Sequence, residues 1–149
     1  ASLKQYAQGA GAAPTVEGVL RAYLEPTFAF IRAGGPSLRN YLTIIAQLNS
    51  VPADAGPGLK VSPFEPAIRE FLRLLRLAAP DRTDAEIHWF YHMLSGAITL
   101  TWARTGRIDA LSDGLCRSED FDAACQEMIA VFAKGLDKRG GPAGDVGNV

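Results

Sequence analysis

The sequence predicts an all-α fold, a bundle of about five helices, on three observations. Proline and glycine gather at Gly9–Pro14, Gly34–Pro36, Pro52–Pro63 and Gly140–Gly147, with one further turn at Ala79-Pro80. Between these breaks apolar residues return every three or four positions, which is the repeat of an amphipathic helix. No stretch alternates apolar and polar residues, rich in β-branched side chains, for long enough to make a strand.

The first predicted helix spans 16–33 and puts Val16, Leu20, Tyr23, Leu24 and Ile31 on one stripe. Pro26 lies inside it. Its ring removes a backbone donor and crowds the preceding turn, so a kink or short break is expected. The second predicted helix, 37–50, collects Tyr41, Ile44, Ile45 and Leu48. After a Pro- and Gly-rich loop, Ser62, Pro63 and Glu65 supply the capping pattern that starts a helix over 63–78. Phe64, Ile68, Phe71, Leu72 and Leu75 form its apolar face. A second capping box, Thr83 with Glu86, opens a helix over 83–105, with Gly106 as the expected stop. Most of that helix's circumference is apolar or small, so it needs cover on more than one side. One subunit of 149 residues has few helices to spare for this, and a second copy would supply them. The last helix starts near Ser118, with Glu119 and Asp120 placed to suit its dipole. It carries Phe121, Cys125, Met128, Ile129, Phe132 and Leu136.

In domain terms, residues 1–15 read as the end of a connecting helix, about 2–7, followed by a Gly/Ala linker. Residues 16–138 form the domain proper, and the Gly-rich 139–149 is expected to be a disordered tail. Fifteen Lys and Arg stand against sixteen Asp and Glu, a formal charge of −1. That balance gives no electrostatic footing for holding DNA unaided. Cys116 and Cys125 are too few for a disulfide framework and suit a reducing cytoplasm. No signal-peptide pattern opens the sequence, so a cytoplasmic location is expected. The apolar run Ile87–Ala103 contains His88, His92, Ser95, Thr99 and Thr101. It reads as a helix buried in protein, not as a membrane span of about 20 apolar residues.

Two stretches carry a family resemblance. Trp89-Phe90-Tyr91-His92-Met93-Leu94-Ser95-Gly96-Ala97 resembles the penultimate helix of TetR-type transcription regulators, particularly fatty-acid-responsive ones. Ile129-Ala130-Val131-Phe132-Ala133-Lys134-Gly135-Leu136 resembles their last helix, in which an aromatic residue is followed shortly by Gly-Leu. The resemblance spans residues 16–136 and implies the C-terminal ligand-binding and dimerisation domain of a TetR-family repressor. It implies a homodimer in which the last two helices and their symmetry mates form a four-helix bundle. The family's N-terminal helix-turn-helix domain is absent from this chain, so DNA contact is expected only through that head. An effector in the pocket would change the spacing of two heads.

The candidate binding site rests on a surplus of rings: Phe28, Phe30, Tyr41, Phe71, Trp89, Phe90, Tyr91 and Trp102. Any one of them can be plain core. Together they suit an apolar cavity with few polar anchors. The expected ligand-binding residues are Phe28, Tyr41, Ile44, Ile45, Gln47, Leu48, Phe71, Leu75, Trp89, His92 and Met93. Tyr41, Gln47 and His92 are the anchors, and the effector is a mainly apolar molecule such as an acyl chain or an aromatic compound. The expected dimer interface takes Ser95, Gly96, Thr99 and Ala103, whose small side chains let helices approach, with Met128, Val131 and Phe132 as matching bulk. Such a two-fold patch is shared by both subunits.

Catalysis has little support. His88 and His92 lie four apart, as two ligands on one helix do, but Trp89 stands where the zinc-protease motif requires Glu. No third ligand has sensible spacing, and no phosphate loop, serine elbow or carboxylate pair stands out. Neither a metal nor a cofactor is expected. Arg69, Arg73 and Arg76 read as a solvated helix face. The alternatives are a free-standing helical carrier or interaction module, and a small enzyme using one of the two histidines.

Overall fold

The computed structural model describes residues 3–9, 13–51 and 64–137, and these form seven helices with no strand among them. Helix α1 is Leu3–Gly9 and α2 is Val16–Ala33. Thr15 starts α2 from an extended conformation, its hydroxyl accepting from the Gly18 amide at 3.1 Å. The helix runs through Pro26 as one element, so of the kink or short break expected there, the break does not occur. Helix α3, Gly35–Asn49, begins two residues ahead of expectation. Gly35 turns the chain at φ 68°, which costs glycine little, and Pro36 fits the first turn.

Helix α4 is Glu65–Ala78; the expected cap Ser62 and Pro63 lie outside the described residues. Helix α5, Asp84–Ala103, opens with the predicted capping box: Thr83 N donates to Glu86 Oε2 at 2.9 Å and Glu86 N to Thr83 Oγ1 at 3.3 Å. It closes earlier than expected, on Arg104 at φ 47°. Gly106 instead precedes a short helix α6, Arg107–Leu111, that the sequence did not predict. Helix α7 is Phe121–Asp137. Asp120 caps it, Oδ1 accepting from Ala123 N at 3.0 Å. Ser118 is engaged elsewhere, its amide donating to Asp109 Oδ2 at 2.9 Å. The tail expected to be disordered lies outside the described residues.

Helix α2 is the centre of the packing. Val19, Leu20, Leu24, Phe28 and Ile31 are almost fully buried, against Phe71, Leu74 and Leu75 of α4, Ile87 and Leu94 of α5 and Ile129 of α7. Each such side chain contributes about 1.5–3 kcal/mol by leaving water. No polar or charged side chain is buried among the described residues. Polar contacts join the elements at their edges. Arg32 Nη1 donates to both carboxylate oxygens of Asp122, linking α2 to α7. Arg82 donates to the Leu136 carbonyl at 2.7 Å and ties the α4–α5 turn to the end of α7. Thr43 Oγ1 donates to the Trp102 carbonyl at 3.3 Å, and Arg104 reaches Asn40 and Thr43, so α3 is held to the end of α5. No described helix is long and apolar enough to cross a membrane.

Candidate functional site

Helices α2, α3, α4 and α5 border a cavity of about 1170 Å³, somewhat above the ~300–1,000 Å³ typical of small-molecule sites. Ala22, Tyr23, Thr27 and Phe28 face it from α2, and Ala46, Gln47 and Asn49 from α3. Ala67, Ile68 and Glu70 come from α4, while Tyr91, His92, Ser95, Ile98, Thr99 and Trp102 come from α5. Leu3 and Lys4 bring α1 into the wall, and Ser50 and Phe64 line it beyond the ends of α3 and α4.

Pro26 has a local consequence here. It has no amide hydrogen for the carbonyl one turn back, so the Ala22 carbonyl lacks its usual helical donor, and both residues line the cavity. Thr27 Oγ1 donates to the neighbouring Tyr23 carbonyl at 3.1 Å. The Tyr23 ring stacks on Phe71 with centroids 4.4 Å apart, and Phe71 lies 6.2 Å from Tyr91. The Tyr23 and Tyr91 hydroxyls lie close enough to influence each other. Burial raises both phenols above the ordinary tyrosine value, and for Tyr23 the neighbouring Tyr91 adds to the effect. Both therefore stay neutral and present hydroxyls, not charge.

The side chains of Gln47, Asn49, His92 and Thr99 make no hydrogen bond within the described residues and stand at the wall. Among the described lining residues, Lys4 and Glu70 carry the formal charges. The Arg73 guanidinium bonds Glu70 and holds its carboxyl below the usual range. The result is a largely apolar recess, open to solvent where Gln47, Asn49 and His92 stand exposed at its rim, and suited to an apolar molecule carrying a few polar groups.

Of the predicted ligand-binding residues, Phe28, Gln47 and His92 line this cavity. Phe71 and Leu75 are fully buried in the core, and Ile45 packs half-buried against it. Tyr41, Ile44 and Leu48 sit on the outer face of α3 with Val51, while Trp89 and Met93 sit on the outer face of α5. Of the predicted interface, Ser95, Gly96, Thr99 and Ala103 border the cavity. Gly96 is also open to solvent. Met128 is in the core, Phe132 meets Phe90 edge-on at 5.5 Å, and Val131 is exposed. The exposed stripe of α5 is Trp89, Met93, Gly96 and Leu100, of which Gly96 and Leu100 also border the cavity.

Sequence reasoning did not single out Tyr23, Thr27, Asn49 or Ile98 for the wall. The one available signal was Pro26, whose neighbours they partly are. His88 Nδ1 lies 2.7 Å from the Asp84 carbonyl, and His92 meets the Trp89 ring edge-on at 5.6 Å. No group of three or more His, Cys, Asp and Glu among the described residues is arranged to hold a metal ion. Arg69, Arg73 and Arg76 pair with Glu65, Glu70 and Asp84 on the solvent side.

The family model described as "Tetracyclin repressor-like, C-terminal domain" matches residues 21–135, more than three quarters of the chain. No curated protein and no solved structure matches it.

Proposed function

The chain belongs to the tetracyclin repressor-like C-terminal domain family, and on that premise we propose that it is the effector-sensing and dimerisation domain of a transcription repressor. The cavity between α2 and α5 is the observation that carries this reading. Its occupant is a mainly apolar small molecule, with Phe28, Tyr23 and Tyr91 as packing surface and Gln47, His92 and Thr99 as anchors. The domain carries out no reaction; it works in the cytoplasm by preferring one arrangement of its helices when filled.

Dimerisation uses the exposed stripe of α5, Trp89, Met93, Gly96 and Leu100, together with Val131 of α7. Signal passes because the cavity wall includes α1 through Leu3 and Lys4. An occupant that moves α1 alters how the DNA-binding head of the full regulator is presented, and the same coupling works in reverse.

Titration with the neutral apolar dye N-phenyl-1-naphthylamine tests the cavity. Fluorescence should rise to saturation at one dye per subunit, and Thr99→Trp, which projects a bulky ring from the α5 wall, should weaken dye binding several-fold while leaving helicity intact. A folded chain that gives no saturable signal, or one that Thr99→Trp leaves unchanged, would overturn the proposal.

A further inference from the structure

The connection between α5 and α7 is short, rigid and greasy on its outside. Ile108 is 50%, Leu111 74% and Leu115 90% exposed. Exposed side chains of this kind commonly sit on mobile loops, yet here the backbone is fixed from several directions. Asp109 accepts from the Ser118 amide at 2.9 Å, and its carbonyl accepts from Gly114 N at 2.9 Å. Ser112 Oγ accepts from Cys116 N at 2.9 Å, and Arg104 reaches Glu119. Gly106, Asp113 and Gly114 take the positive φ values that such a tight path needs. A framework built this closely holds three large apolar side chains in water, where they gain nothing for the isolated subunit.

We infer that Ile108, Leu111 and Leu115 form a preformed hook that docks on a second copy of this chain, extending the α5–α7 seam described above. The inference rests on that dimer reading, and area argues for it. Trp89, Met93, Leu100 and Val131 are 62%, 59%, 60% and 62% exposed. Together they offer roughly 500 Å² of side-chain surface, short of the ~800 Å² a side that a standard specific interface covers. The hook adds on the order of 350 Å² and closes that difference. It is also continuous with the seam along the chain, since it joins the two helices that form it. Because the hook is already ordered, docking loses little conformational freedom.

Sedimentation equilibrium of the 149-residue chain separates the possibilities. Four proteins are compared: the unaltered chain, the double variant Leu111→Glu/Leu115→Glu, the seam variant Val131→Glu, and Leu77→Glu as a control on exposed α4. Circular dichroism confirms that each keeps its helicity. The hook variant should raise the dimer dissociation constant at least tenfold, as the seam variant does, with the control unchanged. A hook variant that dimerises as tightly as the unaltered chain, while the seam variant dissociates, would overturn the hook and leave the seam standing. An unaltered chain that stays monomeric at every concentration would overturn both.

Discussion

Tyr23 is buried against Phe71 with Tyr91 beside it, so its proton is held first by burial and then by the neighbouring phenol. An unfolded chain releases that proton near pH 10, whereas the folded protein keeps it to higher pH. The folded state then binds a proton that the unfolded state has lost, so the stability Tyr23 provides is complete below pH 10 and drains away as pH rises beyond it. Tyr91 is displaced in the same direction. Tyr23→Phe should cost up to about 1 kcal/mol below pH 10, through the lost polar contact with Tyr91. That corresponds to a fall in Tm of roughly 2–4 °C. It should also flatten the decline of Tm above pH 10, and thermal melts across pH 8–12 check both expectations. From sequence, Tyr23 was legible only as a member of an apolar stripe. Gln47 and His92 were legible as anchors because a polar group on an apolar face is conspicuous. Nothing in the spacing says that Tyr23 and Tyr91, 68 positions apart, come together.

At the scale of the helix, α2 combines burial with a deliberate defect. Pro26→Ala would restore the amide that the Ala22 carbonyl lacks and should raise stability by about 1 kcal/mol or more. Its effect on an apolar dye should be small, since Ala22 and Pro26 border the recess through apolar side chains. Calorimetry alongside the dye titration reads both effects. The helix starts at Thr15 and Thr83 were legible because capping is local chemistry. Facing was not. Helix α3 carries two apolar stripes: Leu38, Leu42, Ile45 and Ala46 turn inward, while Tyr41, Ile44, Leu48 and Val51 turn outward. Periodicity cannot choose between stripes of similar character, so Tyr41, Ile44 and Leu48 were read as cavity-facing. Helix α5 poses the same problem around its whole circumference. Helix α6 was invisible because five residues are too few to display a repeat.

Across the whole molecule, helix order and the absence of strands among the described residues followed from punctuation by proline and glycine. The chamber did not, because it exists only where four helices fail to touch. Its wall mixes residues from α1 to α5 that no local pattern connects. The packing that surrounds it also sorts the two tryptophans of the chain. Both ride on α5, yet Trp102 is buried at the wall with its indole N–H unbonded, and Trp89 stands in solvent on the outer stripe. Natural emission should therefore resolve into two colours, a blue component from Trp102 and a red one from Trp89. Filling the chamber should dim or shift the blue light alone, and pairing of subunits should move the red. With Trp89→Phe and Trp102→Phe as single-emitter versions, the protein reports occupancy and assembly separately, without any attached label.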